Sequence, residues 1–368
     1  MTAVRSGVAI RRGIVARATT AALISASTIV ARTTAAQSNA PAIHVVRSHQ
    51  VSTAHPSRPH VESFLAVDPR DSKHMIAASM VGLPTGQLGT SVYVTFDAGR
   101  HWSASRIAPR DSVLERGGDP IVYITRDGGA LYALGGRVNG RPATVVSRST
   151  DGGRTWGSPQ PINYRDRPYM AFDTVSIRLD GTIYVGGQFG VFLLSRSADD
   201  GRSFGYPEII SRDLGGPDRD APIRGLLADL LVTADGVLVM PFAGAVDMRD
   251  STAAPPASDT TSQTLALRLL ISDDAGRSFF AVRDGPRMHA IGGFRGAQAT
   301  SGPRAAIDQS RGRYRGRIYL VFPDWDAERK TYVVRLAHSS DLGKTWKTTV
   351  VNEIVDGHDP GNPALAVT

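Results

Sequence analysis

Charged residues recur beside proline along this sequence, close to the start of short apolar segments. Arg58, Asp119, Arg167 and Arg304 each lie next to a proline. The guanidinium group of arginine binds carboxylates through paired hydrogen bonds, and an aspartic acid can donate a proton in acid–base catalysis. Brought together, these side chains could hold an acidic or polyhydroxylated ligand. Asp-Pro and Arg-Pro pairs also form turns, so the alternative is that these charges pair with one another.

A second group of candidates lies where one apolar segment ends and the next has not yet begun. Arg137 is one of them, and the run Asp324-Trp325-Asp326 is another. If the chain is an enzyme, we predict that Asp119 or Asp324 is its acid. The predicted ligand-binding residues are Arg58, Arg137, Arg167, Arg304 and Trp325.

The residue types argue against metal, disulfide and phosphate-loop chemistry. The chain has no cysteine, which excludes disulfides and thiolate metal sites. Its nine histidines include no pair at the spacing of a helical metal site. Glycine pairs such as Gly135-Gly136 lie inside strand patterns and lack the strand-to-helix context of a phosphate loop. We therefore expect no metal and no cofactor.

One eight-residue pattern occurs five times, and we call it the box. It reads Ser or Thr, any residue, Asp, any residue, Gly, Arg or Lys, then Ser, Thr or His, and finally Trp or Phe. Each copy follows an apolar segment that has the length of a strand. The aspartates of the five boxes are Asp97, Asp151, Asp199, Asp274 and Asp341.

Each position of the box has a mechanical reason. An Asp at the start of a turn accepts hydrogen bonds from backbone N–H groups ahead of it, and Ser or Thr adds side-chain to backbone bonds. The Gly can adopt the positive φ that such a turn needs. The closing aromatic side chain can be buried between neighbouring sheets. The pattern therefore predicts five hairpins with a structural role.

The box resembles the Asp-box, or BNR, repeat of the sialidase superfamily, and the resemblance extends over residues 55–368. It implies an all-β propeller of four-stranded blades. In that family the box joins the third and fourth strands of a blade, on the face opposite the active site. The resemblance therefore places the five box aspartates outside any catalytic set.

The strand pattern around the boxes predicts five blades and part of a sixth. Blade 2, for example, is predicted from strands at Ile121–Thr125, Ala130–Leu134, Thr144–Ser147 and Gln160–Asn163. Apolar segments at Ile43–Arg47 and Pro363–Thr368 are predicted to be the outermost and innermost strands of an incomplete sixth blade. A complete five-bladed ring is the alternative.

The catalytic groups that the resemblance implies are only partly present. Sialidases grip the sugar carboxylate with three arginines, for which Arg58, Arg167 and Arg304 are the candidates. They also use an acidic residue in a first-blade loop, but the corresponding residues 81–90 contain no carboxylate. Their tyrosine nucleophile belongs to the last blade. We therefore predict a non-catalytic module that binds a glycan or an extracellular protein, with a glycoside hydrolase acting on acidic sugars as the alternative.

Composition and the N-terminus bear on location and partners. Residues 1–40 begin with arginines and continue with an apolar stretch and small residues, the order of a secretory signal. We therefore expect residues 41–368 to be a propeller that is secreted or periplasmic. The net charge is +8, but no run of five like charges occurs, so we predict no nucleic-acid partner. No later segment has the apolar length of a membrane span.

Overall fold

The computed structural model describes residues 48–84, 86, 88–108, 117–162, 168–173, 181–188, 191–210, 225–245, 262–291, 302–352 and 363–367. Within these ranges the chain is all-β, with short strands joined by turns. Residues 49–368 form one compact unit. The predicted signal and the predicted strand Ile43–Arg47 lie outside the described residues.

The strands form five antiparallel sheets in which the chain meanders from one strand to the next, and we number these sheets as blades 1 to 5. Blade 1 consists of β1 (His60–Asp68), β2 (Asp71–Gly82), β3 (Leu88–Thr95) and β4 (Ser103–Ala108). Blade 2 consists of β5 (Gly117–Ile124), β6 (Ala130–Val138), β7 (Arg141–Ser149) and β8 (Gln160–Pro161). Blade 3 consists of β9 (Tyr169–Phe172), β10 (Ile183–Gln188), β11 (Phe192–Ser197) and β12 (Glu208–Ile209).

In blade 4 the first strand is divided into two pieces that both pair with the second strand. Its strands are β13 (Leu226–Leu227), β14 (Leu231–Val232), β15 (Leu238–Ala245), β16 (Ser262–Ser272) and β17 (Ala281–Ile291). Blade 5 consists of β18 (Arg304–Ile307), β19 (Ile318–Asp326), β20 (Thr331–Ser339) and β21 (Lys347–Val350).

The prediction of a β-propeller with five complete blades is confirmed, whereas the expectation of a sixth is not met in the described residues. Residues 363–367 were expected to begin a sixth blade, but they form no strand. A strand needs a hydrogen-bonding neighbour, and no described segment pairs with these residues. In the described part of the chain the blade count is therefore five.

Neighbouring blades pack face to face through apolar side chains. Ile76 of blade 1 meets Tyr132 of blade 2 in one cluster, and Leu131 of blade 2 meets Ile183 of blade 3 in the next. Two further clusters join blades 3 and 4 and blades 4 and 5. Alternating side chains of each strand point to opposite faces of the sheet. Both faces of a blade that lies between two other blades therefore contribute to the core.

The box hairpins share one hydrogen-bonding scheme, shown here for blade 2. The Ser149 hydroxyl donates to Asp151 Oδ1 over 2.7 Å and accepts from Gly153 N over 2.8 Å. Thr155 donates to the two oxygens of Asp151 through its backbone N at 2.9 Å and its hydroxyl at 2.6 Å. In blade 1 the imidazole Nδ1 of His101 replaces that hydroxyl. Each box therefore satisfies its turn through hydrogen bonds among its own residues.

The glycine of each later box also packs against the preceding blade. A Cβ added to Gly153 would lie 2.7 Å from Ile76, and one added to Gly276 would lie 2.4 Å from Leu194. Gly201 and Gly343 meet Leu131 and Leu269 in the same way. The box thus also joins one blade to the one before it.

We predict that the boxes make the protein sensitive to acid. Hydrogen bonds from the Thr345 hydroxyl and backbone lower the pKa of Asp341 to about 2, and the pKa of Asp274 is also about 2. A carboxyl group with a depressed folded-state pKa stabilises the fold above its ordinary pKa, and this contribution is lost as the pH falls towards the folded value. The free energy of unfolding should therefore drop between pH 4 and pH 2. Denaturant titrations at several pH values would measure it, and Asp341→Asn should flatten the dependence. Equal slopes in both proteins would contradict the prediction.

Candidate functional site

The innermost strands of all five blades surround a central cavity of about 190 Å³. Its wall is mostly apolar and aromatic. Blades 1 and 5 contribute Phe64 and Ile307, blade 2 contributes Ile121, Val122 and Tyr123, blade 3 contributes Tyr169, Met170 and Ala171, and blade 4 contributes Asp229, Leu230, Leu231 and Val232. A concave apolar site with few polar groups is the usual form of a small-molecule site.

Asp229 is the only ionisable carboxyl group among the described residues that line this cavity. It lies in the interruption between β13 and β14, where Leu230 N donates a hydrogen bond to its Oδ1 over 2.8 Å. Burial raises the pKa of Asp229 to about 7, despite that hydrogen bond and the positive charge of Arg304. A carboxylic acid that keeps its proton near neutral pH can donate a hydrogen bond or a proton to a ligand.

Two aromatic hydroxyl groups share the cavity with Asp229. Tyr123 is partly buried, and burial together with the negative charge of Asp229 raises its pKa to about 12. Its ring stacks on Phe172 with 4.1 Å between the ring centroids. Tyr169 lines the wall from blade 3. The site therefore offers neutral hydrogen-bonding groups on rigid strands.

An acidic residue lies at an irregularity in the first strand of three blades. Register shifts lie between Val61 and Phe64 in β1 and between Gly118 and Ile121 in β5. The first bulged residues, Glu62 and Asp119, have positive φ angles of 52° and 49°. In blade 4, Asp229 lies in the break between the two strand pieces. Bulges re-aim side chains beside functional sites, and backbone strain of this kind accumulates at such sites.

The predicted ligand-binding arginines are placed differently from one another. Arg304 begins β18, is exposed, and is close enough to Asp229 to influence its pKa. Arg137 is exposed on β6 and donates to Gly140 O over 2.6 Å, within its own hairpin. Arg58 is half-buried before β1, where its carbonyl accepts a hydrogen bond from His60 Nδ1. Arg167 lies outside the described residues. Among the predicted arginines that the structure describes, only Arg304 lies close to the cavity acid.

Asp324 and Trp325 lie in β19, which corrects the expectation that they belong to a loop. The reason is that β19 and β20 stay in register as far as Asp326 and Thr331. Asp324 is buried and accepts hydrogen bonds from Arg335 Nε at 2.5 Å and from His289 N at 2.6 Å. It therefore links blade 5 to the outer strand of blade 4. Trp325 packs edge-on against Tyr332.

Asp119 was predicted to precede a strand, but it lies inside β5 at the bulge. It is partly buried and engaged in an interaction there.

Asp229 was missed by sequence reasoning. Its signal is a lone carboxylate in the apolar run Leu226-Leu-Ala-Asp229-Leu-Leu-Val232, where a charge is costly to bury.

In the part of the chain that the structure describes, no group of three or more His, Cys, Asp or Glu side chains could hold a metal ion. Within the same residues no helix has the length and apolar character needed to cross a membrane.

No protein-family model matches the chain, and no curated protein matches it. Among solved structures the chain is similar to the α-L-arabinofuranosidase of Fusarium graminearum, at 11% identity over 80% of this chain and 81% of that chain, with a TM-score of 0.50. It is similar to a protein of unknown function from Dyadobacter fermentans, at 16% identity, 82% and 85% coverage and a TM-score of 0.50. A Hadza microbial sialidase aligns at 17% identity over 72% of this chain, with a TM-score of 0.41, and the chain spans 54% of its length. At these identities the likeness shows the propeller fold alone.

Proposed function

We propose that the chain is an exported carbohydrate-binding propeller whose ligand occupies the central cavity. The observation that carries the proposal is Asp229, a carboxylic acid with a pKa of about 7 in an apolar and aromatic wall. Sugar rings have apolar faces that pack on aromatic side chains and hydroxyl groups that need hydrogen-bond partners. Tyr123, Tyr169 and Asp229 supply both features, and the exposed guanidinium group of Arg304 can receive an acidic substituent.

The cavity size limits the ligand to one small unit. Sites for drug-sized ligands have volumes of about 300–1,000 Å³, and this cavity has about 190 Å³. A single sugar unit, or the terminal unit of a chain, is therefore the proposed occupant. The export signal expected in residues 1–40 and the propeller fold of the solved glycosidase structures support the same assignment.

Glycoside hydrolysis is the second candidate, and the pKa of Asp229 favours it. Glycosidases need a carboxylic acid that remains protonated near neutral pH to protonate the leaving group, together with a second carboxylate. Asp229 meets the first requirement. Glu62 and Asp119 occupy comparable bulges on neighbouring strands and are the candidates for the second.

A binding and turnover experiment separates the two functions. The purified chain is titrated with a panel of neutral and acidic monosaccharides by calorimetry and incubated with the matching fluorogenic glycosides. Saturable binding without turnover supports the binding module, whereas turnover that Asp229→Asn abolishes supports the hydrolase. Asp235→Asn is the matched control, because Asp235 is an exposed residue of the turn between β14 and β15. The proposal would be overturned if the chain showed no binding and no turnover with any of the sugars.

A further inference from the structure

Blade 5 carries a loop rich in arginine that is not part of the central cavity. Residues 308–317, between β18 and β19, contain four exposed or half-exposed arginines around one tyrosine, namely Arg311, Arg313, Arg315 and Arg317 around Tyr314. In a four-stranded antiparallel blade, the loop between the first two strands emerges at the same end as the box hairpin between the last two. The arginine loop therefore lies on the box side of the propeller.

The loop is held in one conformation by its own hydrogen bonds. Gly316 N donates to Asp308 O over 2.7 Å, and Asp308 N donates to Arg317 O over 2.9 Å. The carboxylate of Asp308 accepts a hydrogen bond from Ser310 N over 2.8 Å. Arg315 N donates to Gly312 O. Since the backbone is already ordered, the arginine side chains are presented on a preformed platform, which lowers the entropic cost of binding.

Tyr314 organises two of the guanidinium groups. Those of Arg313 and Arg317 lie 4.4 and 4.0 Å from the centroid of its ring, the geometry of cation–π contacts. Arg317 Nε also donates to Ser340 Oγ over 2.9 Å, which ties the loop to the box of the same blade. Lys344 in that box and Lys347 on β21 add further positive charge. Both Arg317 and Lys347 act on His338, whose pKa is lowered by burial first and by these charges second.

These arginines differ from Arg70 and Arg148 on the same side, because no carboxylate of the described residues neutralises them. Arg70 in the corresponding turn of blade 1 pairs with Asp68 at 2.8 Å, and Arg148 pairs with Asp127 at 2.8 Å. Among the described residues, no Asp or Glu forms an ion pair with Arg311, Arg313, Arg315 or Arg317. Unpaired arginines on an ordered loop create a positive potential that attracts anions.

We propose that this loop, together with Lys344 and Lys347, binds an anionic polysaccharide that carries sulfate or carboxylate groups. The planar guanidinium group of arginine can donate two parallel hydrogen bonds to two oxygens of a sulfate or a carboxylate, which the ammonium group of lysine cannot. The guanidinium groups of Arg313 and Arg317 lie against the ring of Tyr314, where they compete with the base stacking on which recognition of single-stranded nucleic acid relies. The contacts of Arg313 and Arg317 with Tyr314 therefore favour an anionic polysaccharide over a single-stranded nucleic acid.

The test uses heparin as a sulfated polysaccharide probe, neutral dextran as its uncharged counterpart, and a duplex DNA of matched length. Binding of the full chain is measured over a range of NaCl concentrations. The triple variant Arg311→Gln, Arg313→Gln, Arg315→Gln should reduce the slope of log affinity against log salt by about one for each arginine removed. The control variant Arg141→Gln, Arg287→Gln, Lys330→Gln removes the same charge from exposed positions away from this loop and should keep the wild-type slope.

The results of the heparin experiment can be distinguished from those of the sugar-binding experiment on the cavity. Asp229→Asn should leave heparin binding unchanged, so loss of cavity function does not affect this test. Thermal melting establishes that both triple variants remain folded. Equal loss of heparin binding in the two triple variants would show a net-charge effect and overturn the proposal, as would absence of heparin binding by the wild-type chain. Tighter, loop-dependent binding of the DNA would replace the polysaccharide with a nucleic acid as the partner.

Discussion

Gly276→Ala should destabilise the protein by about 2–5 kcal/mol, the sum of a left-handed backbone cost and an overpacked contact. Gly276 has a φ of 74°, and a Cβ at this position would lie 2.4 Å from Leu194 and 3.0 Å from Leu238. The methyl group therefore cannot be accommodated unless the buried side chain of Leu194 shifts. Equilibrium unfolding in guanidinium chloride, monitored by fluorescence, measures the change.

Gly99→Ala is the matched control for this effect. Gly99 occupies the same position in the first box with a φ of 79°, but its nearest contact is Trp102 at 3.5 Å. This substitution should cost only the backbone part, about 1–2 kcal/mol. Adding Leu194→Val to Gly276→Ala should recover part of the loss, because the side chain that meets the new methyl group becomes shorter. Equal destabilisation by the two alanine variants would contradict the docking role of the box.

Asp229→Asn should stabilise the fold at pH 8 by about 1–3 kcal/mol while it abolishes binding in the cavity. The pKa of Asp229 is raised from 3.8 to about 7 by burial. Between these values the folded state holds a proton that the unfolded state has lost, so the free energy of unfolding falls as the pH rises through this range. The amide side chain of the variant does not ionise, so its burial carries no such pH-dependent cost.

Denaturant titrations from pH 4 to pH 8 provide the measurement. The advantage of the variant should grow with pH and level off above pH 7, and Asp235→Asn should show no comparable trend. A variant that is less stable than the wild type at pH 8 would rule out the burial cost. A gain in stability at the expense of binding is expected of a residue that serves function rather than folding.

The repeat allowed most of the fold to be predicted from the sequence. Box residues such as Asp151 and Gly153 act through bonds to neighbours two to four positions away, so their spacing alone identifies the turn. The blade order follows because each box marks the third and fourth strands. Strand ends were less predictable, since the extension of β19 to Asp326 depends on pairing with β20.

The site was less accessible to sequence reasoning. Arg304 was predicted, but its neighbour Asp229 was not, because its importance arises from burial against blades 2 and 3 rather than from any local motif. The hydrogen bond from His289 N of blade 4 to Asp324 of blade 5 also joins positions 35 residues apart in sequence. Such contacts depend on how neighbouring blades are rotated, which spacing along one chain does not reveal.

Because each box glycine packs on the blade before it in the chain, these contacts between blades follow the order of the sequence. Ile76, Leu131, Leu194 and Leu269 receive the glycines of the boxes that follow them in the chain. During synthesis from the N-terminus, every receiving surface has therefore emerged from the ribosome before the hairpin that fits it. Contacts between nearest neighbours in chain order suit vectorial folding, in which each new blade assembles on a template that is already complete.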